Sequence, residues 1–428
     1  MRDCGILFSD HPLVNAALSA VSVRLQLRYP CYQCNLQLLA SLPKLSSLCI
    51  TAPGAVWGDE DDEDDEDFRQ FDTATLQSAT QQFPGRLTTL TELQLQIKIL
   101  YDFSSVSKCV DLRDLQLRSA VDEELRLQAQ EWDALLQLTR LTCLRVDAIS
   151  AYVGDADEDA HSDAHYNVLR QLKGLRVVGA CTWAESFLPV LQGLTNVTAV
   201  YGGWRVPSEA DLSKLVCPHV RELGGALRDI PFCAFPNITS IAVFRVSATS
   251  LSSLRYCCTG LQRLSIGLDL PRVPMVVGVG TDCTSAMKSL AHLQHLTHLE
   301  LSPINEAQLL AFTGEAATVS TLNLRYLHVQ GPLTVFALMQ LQSVRGLQEL
   351  SLRCEGGLKV VRDCFTEAAV RAWLVGLAVV PKVSIVLCSE KQHRVVEAVR
   401  QQVVQWDLHL PALLKVTVNP KFNWPVPG

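Results

Sequence analysis

Apolar residues recur along the chain in the frame apolar-x-x-apolar-x-x-apolar-x-apolar. It is clearest in LTTLTELQL ending at Leu95, LTRLTCLRV at Val146, LQHLTHLEL at Leu301 and VRGLQELSL at Leu352. Looser copies run from Leu42, Val110, Leu169, Gly193, Cys217, Phe235, Cys258, Leu322 and Leu410, which makes thirteen. The alternation at the end of each copy is that of a strand with one buried face, and recurrence of a whole unit at 20 to 50 residues marks a stacked array. The third apolar position serves as a pivot; it falls on Leu48, Leu93, Leu115, Leu144, Leu175 and Val200, and then on Leu223, Ile241, Leu264, Leu299, Leu327, Leu350 and Val416.

Between pivots, Glu185–Leu194, Ser285–Leu293, Leu333–Gln342 and Thr366–Val379 carry apolar residues three and four apart, the spacing of an amphipathic helix. Each unit therefore reads strand, turn, helix, turn. The stretch VSVRLQL from Val21 reads as an earlier strand, and 383–428 as a terminal strand, helix and strand that cap the stack.

These residues carry a resemblance. The segments Leu90-x-x-Leu93-x-Leu95, Leu112-x-x-Leu115-x-Leu117, Leu296-x-x-Leu299-x-Leu301 and Leu347-x-x-Leu350-x-Leu352 are similar to the strand motif of the leucine-rich repeat family. The family often places Asn or Cys after the strand, where Lys98, Ala120, Ile149, Asp269, Ile304 and Glu355 stand here. Long repeats without that ladder resemble the ribonuclease-inhibitor type, also found in the F-box receptors of ubiquitin ligases. The resemblance implies an α/β leucine-rich repeat solenoid, a curved horseshoe with a parallel concave sheet and a mostly helical convex side, over 1–428 as one body. One strand and one helix cannot cover both their apolar faces, whereas stacked neighbours bury them in a continuous core.

Composition fits that picture. Leucine fills 67 of 428 positions, while aromatics are 7 % and charged residues 19 %. The apolar run Trp373–Val380 is broken by Pro381 and Lys382, far short of the ~20 residues a spanning helix needs. Asp3, Asp10, His11 and Pro12 interrupt what a secretory leader would need as an apolar core. Fifteen scattered cysteines suit reduced thiols rather than a disulfide framework. The sequons at Asn196 and Asn237 accordingly read as turn residues. Cys217 and Cys258 occupy positions held by leucine in other copies and read as small buried hydrophobes.

Charge is concentrated in insertions. The nine consecutive acids Asp59–Asp67 exceed the whole net charge of −7, so net charge says little about partners. They lie in a loop insertion over 52–72, solvated because such a run repels itself, and would attract a basic partner. A second acidic loop covers 150–165; it lacks the Gly and Glu of a calcium loop, with Ala160 and Tyr166 in their places. Cys31 and Cys34 have no second metal-ligand pair, and Gly278-Val-Gly280 lacks the rest of a dinucleotide fingerprint.

Strand side chains alternate, so positions one before, one after and three after the pivot line the open face. The candidate partner-binding residues there are Arg118, Arg145, Arg176, Phe244, Arg263, Glu300, Tyr326, Glu349 and Arg353. Both charges mixed with aromatics suit a protein partner rather than nucleic acid, which asks for a basic stripe. No catalytic motif, cofactor site or metal site is legible. The expected function is a non-enzymatic protein-interaction scaffold without cofactors and without a membrane span. The alternative, implied by the resemblance, is the substrate-recognition subunit of an SCF-type ubiquitin ligase whose F-box is missing from this chain. The expected location is cytoplasmic, with nuclear or cytoskeletal and axonemal alternatives that the wider family also implies.

Overall fold

The computed structural model describes residues 22–26, 44–51, 88–97, 103–119, 129–149, 167–183, 187–204, 216–226, 232–244, 246, 248–267, 286–304, 306–314, 322–331, 340–341, 344, 346–354, 380–387 and 415–418. Both acidic loops, the CxxC pair and the paired glycines at 278 and 280 lie outside them, as do the helices expected at 333–342, but for its last residues, and 366–379. The chain divides into two units, Met1–Pro207 and Ser208–Gly428.

Among the described residues the first unit holds seven strands: β1 (Ser22–Gln26), β2 (Ser47–Thr51), β3 (Glu92–Ile97), β4 (Asp114–Ser119), β5 (Cys143–Ile149), β6 (Val177–Trp183) and β7 (Ala199–Trp204). Each pairs in parallel with the next in chain order. The second unit holds β8 (Glu222–Ala226), β9 (Ser240–Phe244), β10 (Arg263–Gly267), β11 (His298–Ser302), β12 (Tyr326–Gly331), β13 (Glu349–Cys354), β14 (Lys382–Leu387) and β15 (Lys415–Val418). They too are parallel and sequential. Each unit is a leucine-rich repeat solenoid.

Returns between strands are helices α1 (Ala129–Leu135) and α2 (Phe187–Gly193) in the first unit, and α3 (Ala248–Cys257) and α4 (Glu306–Gly314) in the second. Short 3-10 turns occupy Phe103–Lys108 and Phe232–Ala234. The helix expected at Glu185–Leu194 is α2, which buries Phe187, Leu188, Val190 and Leu191 and keeps Pro189 in its first turn, where the missing N–H costs nothing. The segment expected at Ser285–Leu293 is helical over 286–290.

Burial follows the strand alternation. In β11 the pattern is half-buried, buried, half-buried, buried, half-buried, with Leu299 and Leu301 at 0 % exposure. Pivot lies beside pivot: Leu264 pairs with Leu299, Leu299 with Leu327, and Leu327 with Leu350. Each fully buried leucine contributes about 1.5–3 kcal/mol. A second column, six residues before the pivot, holds Cys109, Leu138, Leu172 and Leu194 in the first unit and Cys217, Phe235, Cys258 and Leu293 in the second, all buried. Cys217 and Cys258 are thus core hydrophobes, as their leucine-equivalent positions imply. Burial pushes both thiols up, to about 11 and about 12.

Three sequence readings need correction. Leu144 pairs with Val178, not Leu175, so the pivot of that repeat lies three residues later. The frame misled because Leu169-x-x-Leu172-x-x-Leu175-x-x-Val178 offers two overlapping apolar triplets. Val416 pairs with Ile385, the register partner of Leu352, and the pivot of β14 is Val383, which pairs with Leu350. The thirteen expected units become fifteen strands among the described residues, because β1, anticipated at VSVRLQL, pairs through Val23 with Leu48 and because β14 is itself a repeat strand. Third, Cys233 and Cys257 form a disulfide joining the Phe232–Ala234 turn to the end of α3, where reduced thiols were expected. Twenty-four residues separate them in sequence, so no spacing motif announces the pair.

The family's Asn ladder is missing from the sequence, but the structure builds a ladder at the strand entrance. Two residues before most pivots, one carbonyl accepts two successive amides of the next repeat; Gln348 O accepts only from Lys382, since the residue before that lysine is Pro381. Ser46 O accepts from Thr91 and Glu92 N–H, Thr91 O from Arg113 and Asp114, and Arg113 O from Thr142 and Cys143. In the second unit Thr239 O accepts from Gln262 and Arg263, Gln262 O from Thr297 and His298, and Thr297 O from Arg325 and Tyr326. Threonines at this position add a third bond: the hydroxyls of Thr91, Thr142, Thr239 and Thr297 donate to the preceding repeat's carbonyl at 3.0–3.2 Å. Asn196 and Asn237 do the same one turn earlier, each donating at 2.9 Å to Lys173 O and Pro218 O. Both sequons therefore sit in inter-repeat turns.

Candidate functional site

Register assigns every candidate residue except Arg176 a place on the open face of its own unit. In the first unit Arg145 follows the pivot of β5, and Arg118 lies three beyond the pivot of β4, exposed. Arg176 leaves the set. With Val178 as pivot it stands at the strand entrance, where its carbonyl accepts from Thr198 and Ala199 N–H, and the open-face position of that strand is Gly179. Only counting from Leu175, three residues before the true pivot, puts it on the face.

What fills the gap is Arg145. A Cβ on Gly179 would stand 3.0 Å from Arg145 Cγ, so the bare glycine is what lets the arginine stem lie across β6. Its guanidinium carbon reaches a point 4.8 Å from the ring centroid of Tyr201, the open-face residue of β7. Tyr201 was missed by sequence reading, although it directly follows the pivot Val200 and could have been found by counting. Cys143, one before the pivot of β5, lies between Asp114 and Arg145; burial and then the Asp114 charge push its thiol up to about 11, against Arg145.

In the second unit Phe244 closes β9 in register with Gly267; its side chain lies outside the described residues. Arg263 is exposed at the start of β10, beside His298. The remaining candidates come together on β11 to β13. Tyr326 lies between His298 and Glu349 in one row, and His328 between Glu300 and Ser351 in the next. The His298 and Tyr326 rings are 5.8 Å apart at a 30° tilt. Thr297 Oγ1 and His298 Nδ1 share a hydrogen bond of 2.8 Å, and His328 Nδ1 and Ser351 Oγ one of 2.9 Å. Lys382, on β14, donates to Glu349 at 2.6 Å. That lysine was missed because β14 was not read as a repeat strand.

The electrostatics follow from this packing. Burial, then the charges of Glu300 and Glu349, push the Tyr326 hydroxyl up. Burial pulls the His328 imidazole down; Glu300 opposes this and Arg353 reinforces it. The neutral imidazole is therefore the form the folded state favours. Among the described residues no three His, Cys, Asp or Glu side chains are grouped to hold a metal ion, and no helix is long and apolar enough to cross a membrane. The patch offers rings, two carboxylates and hydrogen-bonding tips on a fixed parallel backbone, which is recognition chemistry.

No protein-family model matches the sequence, and no curated protein matches it. Among solved structures, the chain is similar to an internalin of Listeria monocytogenes, with 15 % identity, 79 % of this chain and 82 % of that one covered and a TM-score of 0.37. It is also similar to a leucine-rich repeat protein of Leptospira interrogans, with 12 % identity, 84 % and 89 % covered and a TM-score of 0.27.

Proposed function

We propose that the chain is a non-enzymatic scaffold that holds a protein partner on the open face of its repeats. The observation that carries this reading is the β11 to β13 patch, where Glu300, Tyr326, His328 and Glu349 are half-buried on a face whose reverse side is a fully buried core of leucines and Val329. Flat arrays of mixed polarity on a rigid backbone suit macromolecular contact. Photo-crosslinking in the native cell tests it. A benzophenone side chain at Ser265 or Gln94, on the open faces, should capture a protein that one at Asp133, on the exposed side of α1, does not. Equal capture from both sides, or capture only at Asp133, would overturn the reading.

A narrower reading, the recognition arm of an SCF-type ubiquitin ligase, draws support from the long repeats with helical returns, similar to the ribonuclease-inhibitor type. Co-purification of a cullin adaptor with the native product is its test. The acidic run Asp59–Asp67 is proposed as a second attraction for a basic partner, lost at high salt. For location we propose the cytoplasm, with the nucleus or the cytoskeleton and axoneme as alternatives, on the free buried thiols of Cys217 and Cys258. The Cys233–Cys257 disulfide argues the other way, and thiol mapping of protein taken directly from cells decides.

A further inference from the structure

The open face of β11 to β13 holds an imbalance. Among the described residues, Glu300 makes neither a hydrogen bond nor an ion pair, although it is half-buried, whereas Glu349 is already held by Lys382. A carboxylate partly removed from water without a partner costs free energy that a cation recovers. Its neighbour across the β11 and β12 register is His328, and the row below carries Tyr326. Burial and Arg353 keep His328 from supplying the missing charge. The centre of the patch thus has two carboxylates and an aromatic ring; its cations are Arg263 and Lys382 at its edges and Arg353 one row beyond His328, opposite Gln330.

We propose that this patch seats an arginine side chain of a protein partner, its guanidinium stacked on the Tyr326 ring and forked onto the Glu300 carboxylate. The proposal rests on the open-face reading and names the partner's chemistry. Arginine fits better than lysine because a planar guanidinium can stack and make paired hydrogen bonds at once, which a compact ammonium cannot. The first unit shows the same chemistry within the chain, with Arg145 lying on Tyr201.

The full-length chain, labelled with 3-fluorotyrosine, supplies the test, with the Tyr326 fluorine resonance identified by its disappearance in Tyr326→Phe. The probe is a short glycine-serine peptide carrying one arginine, against the same peptide carrying citrulline, the neutral isostere, or glutamate. The arginine peptide should move the Tyr326 resonance saturably, and citrulline and glutamate should bind at least about tenfold more weakly, the difference of one charge-assisted contact. Glu300→Gln should weaken the arginine peptide by a similar factor, Tyr326→Leu should weaken it too, and Tyr326→Phe, read by fluorescence anisotropy, should not. Thermal melts establish that each variant is folded; if Glu300→Gln is not, Glu300→Asp replaces it, with a smaller loss expected. Equal binding of arginine and citrulline, or arginine binding indifferent to Glu300, overturns the proposal. Open-face crosslinks that survive Glu300→Gln would remove this seat and leave the scaffold reading standing, whereas missing open-face crosslinks would remove the reading itself.

Discussion

Arg145 and Tyr201 meet across a strand to which neither belongs. The guanidinium carbon stands 4.8 Å from the ring centroid because Gly179, between them on β6, has no side chain to lift the arginine stem. The Arg145 Nε is buried with no hydrogen-bond partner among the described residues. A double-mutant cycle of Arg145→Ala and Tyr201→Ala should give a coupling of about 0.5–1 kcal/mol by chemical denaturation. In a Gly179→Leu background that coupling should vanish. Full coupling in that background would show that the glycine is incidental.

Gly331 ends β12 with φ +158°, and a Cβ there would lie 1.9 Å from Ile304 O. That oxygen is backbone and has little room to move, since Ile304 N–H donates to Gln330 O at 2.9 Å. Gly331→Ala should cost more than about 2 kcal/mol in equilibrium unfolding, against less than about 0.5 kcal/mol for Gly260→Ala at an open turn.

Leu299 sits in the middle of the pivot column at 0 % exposure, between Leu264 and Leu327. Leu299→Ala should cost about 2–5 kcal/mol, and Ser265→Ala on the open face of β10 less than about 0.5 kcal/mol. Similar losses for both would mean that the leucines are not the inner wall.

Burial holds the thiols of Cys109, Cys217 and Cys258 at about 11, 11 and 12. Alkylation of the native chain at pH 8, mapped by mass spectrometry, should leave all three unmodified, and unfolding should expose all three. Raised folded values also mean stability that is intact below the ordinary thiol value of ~8.5 and is lost as pH climbs towards the folded values.

His328 predicts the opposite limb. Its folded value lies below the ordinary imidazole value of ~6.5, so the unfolded chain binds the proton first as pH falls. Stability should decline as pH drops through that value and on towards the folded one. In His328→Gln this part of the pH dependence should be missing from denaturation curves; an unchanged slope would assign it to other groups.

The repeat architecture was legible because buried strand positions have no chemical alternative to apolar side chains, so Leu93, Leu115, Leu299 and Leu350 announce themselves at fixed spacing. The frame failed at Leu175 and Val416, where apolar residues are so dense that several registers fit and only the inter-strand hydrogen bonds choose. Glu300, Tyr326 and Glu349 were placed on the open face by counting from the pivots. The arginine stacking on Tyr201 was not, since it depends on a side chain being absent from Gly179. The threonine ladder is legible at Thr91, Thr142, Thr198, Thr239 and Thr297, each two before a pivot and so at the opposite end of the strand from the family's asparagine.

The entrance hydrogen bonds join residues as few as 18 and as many as 45 apart in sequence, with the same acceptor and the same strand register each time. Each sheet is thus blind to the mileage of polypeptide between its rungs. Lineages could lengthen or trim these excursions freely, and an engineer could splice a foreign epitope between β2 and β3 and expect the rungs on either side to meet as before.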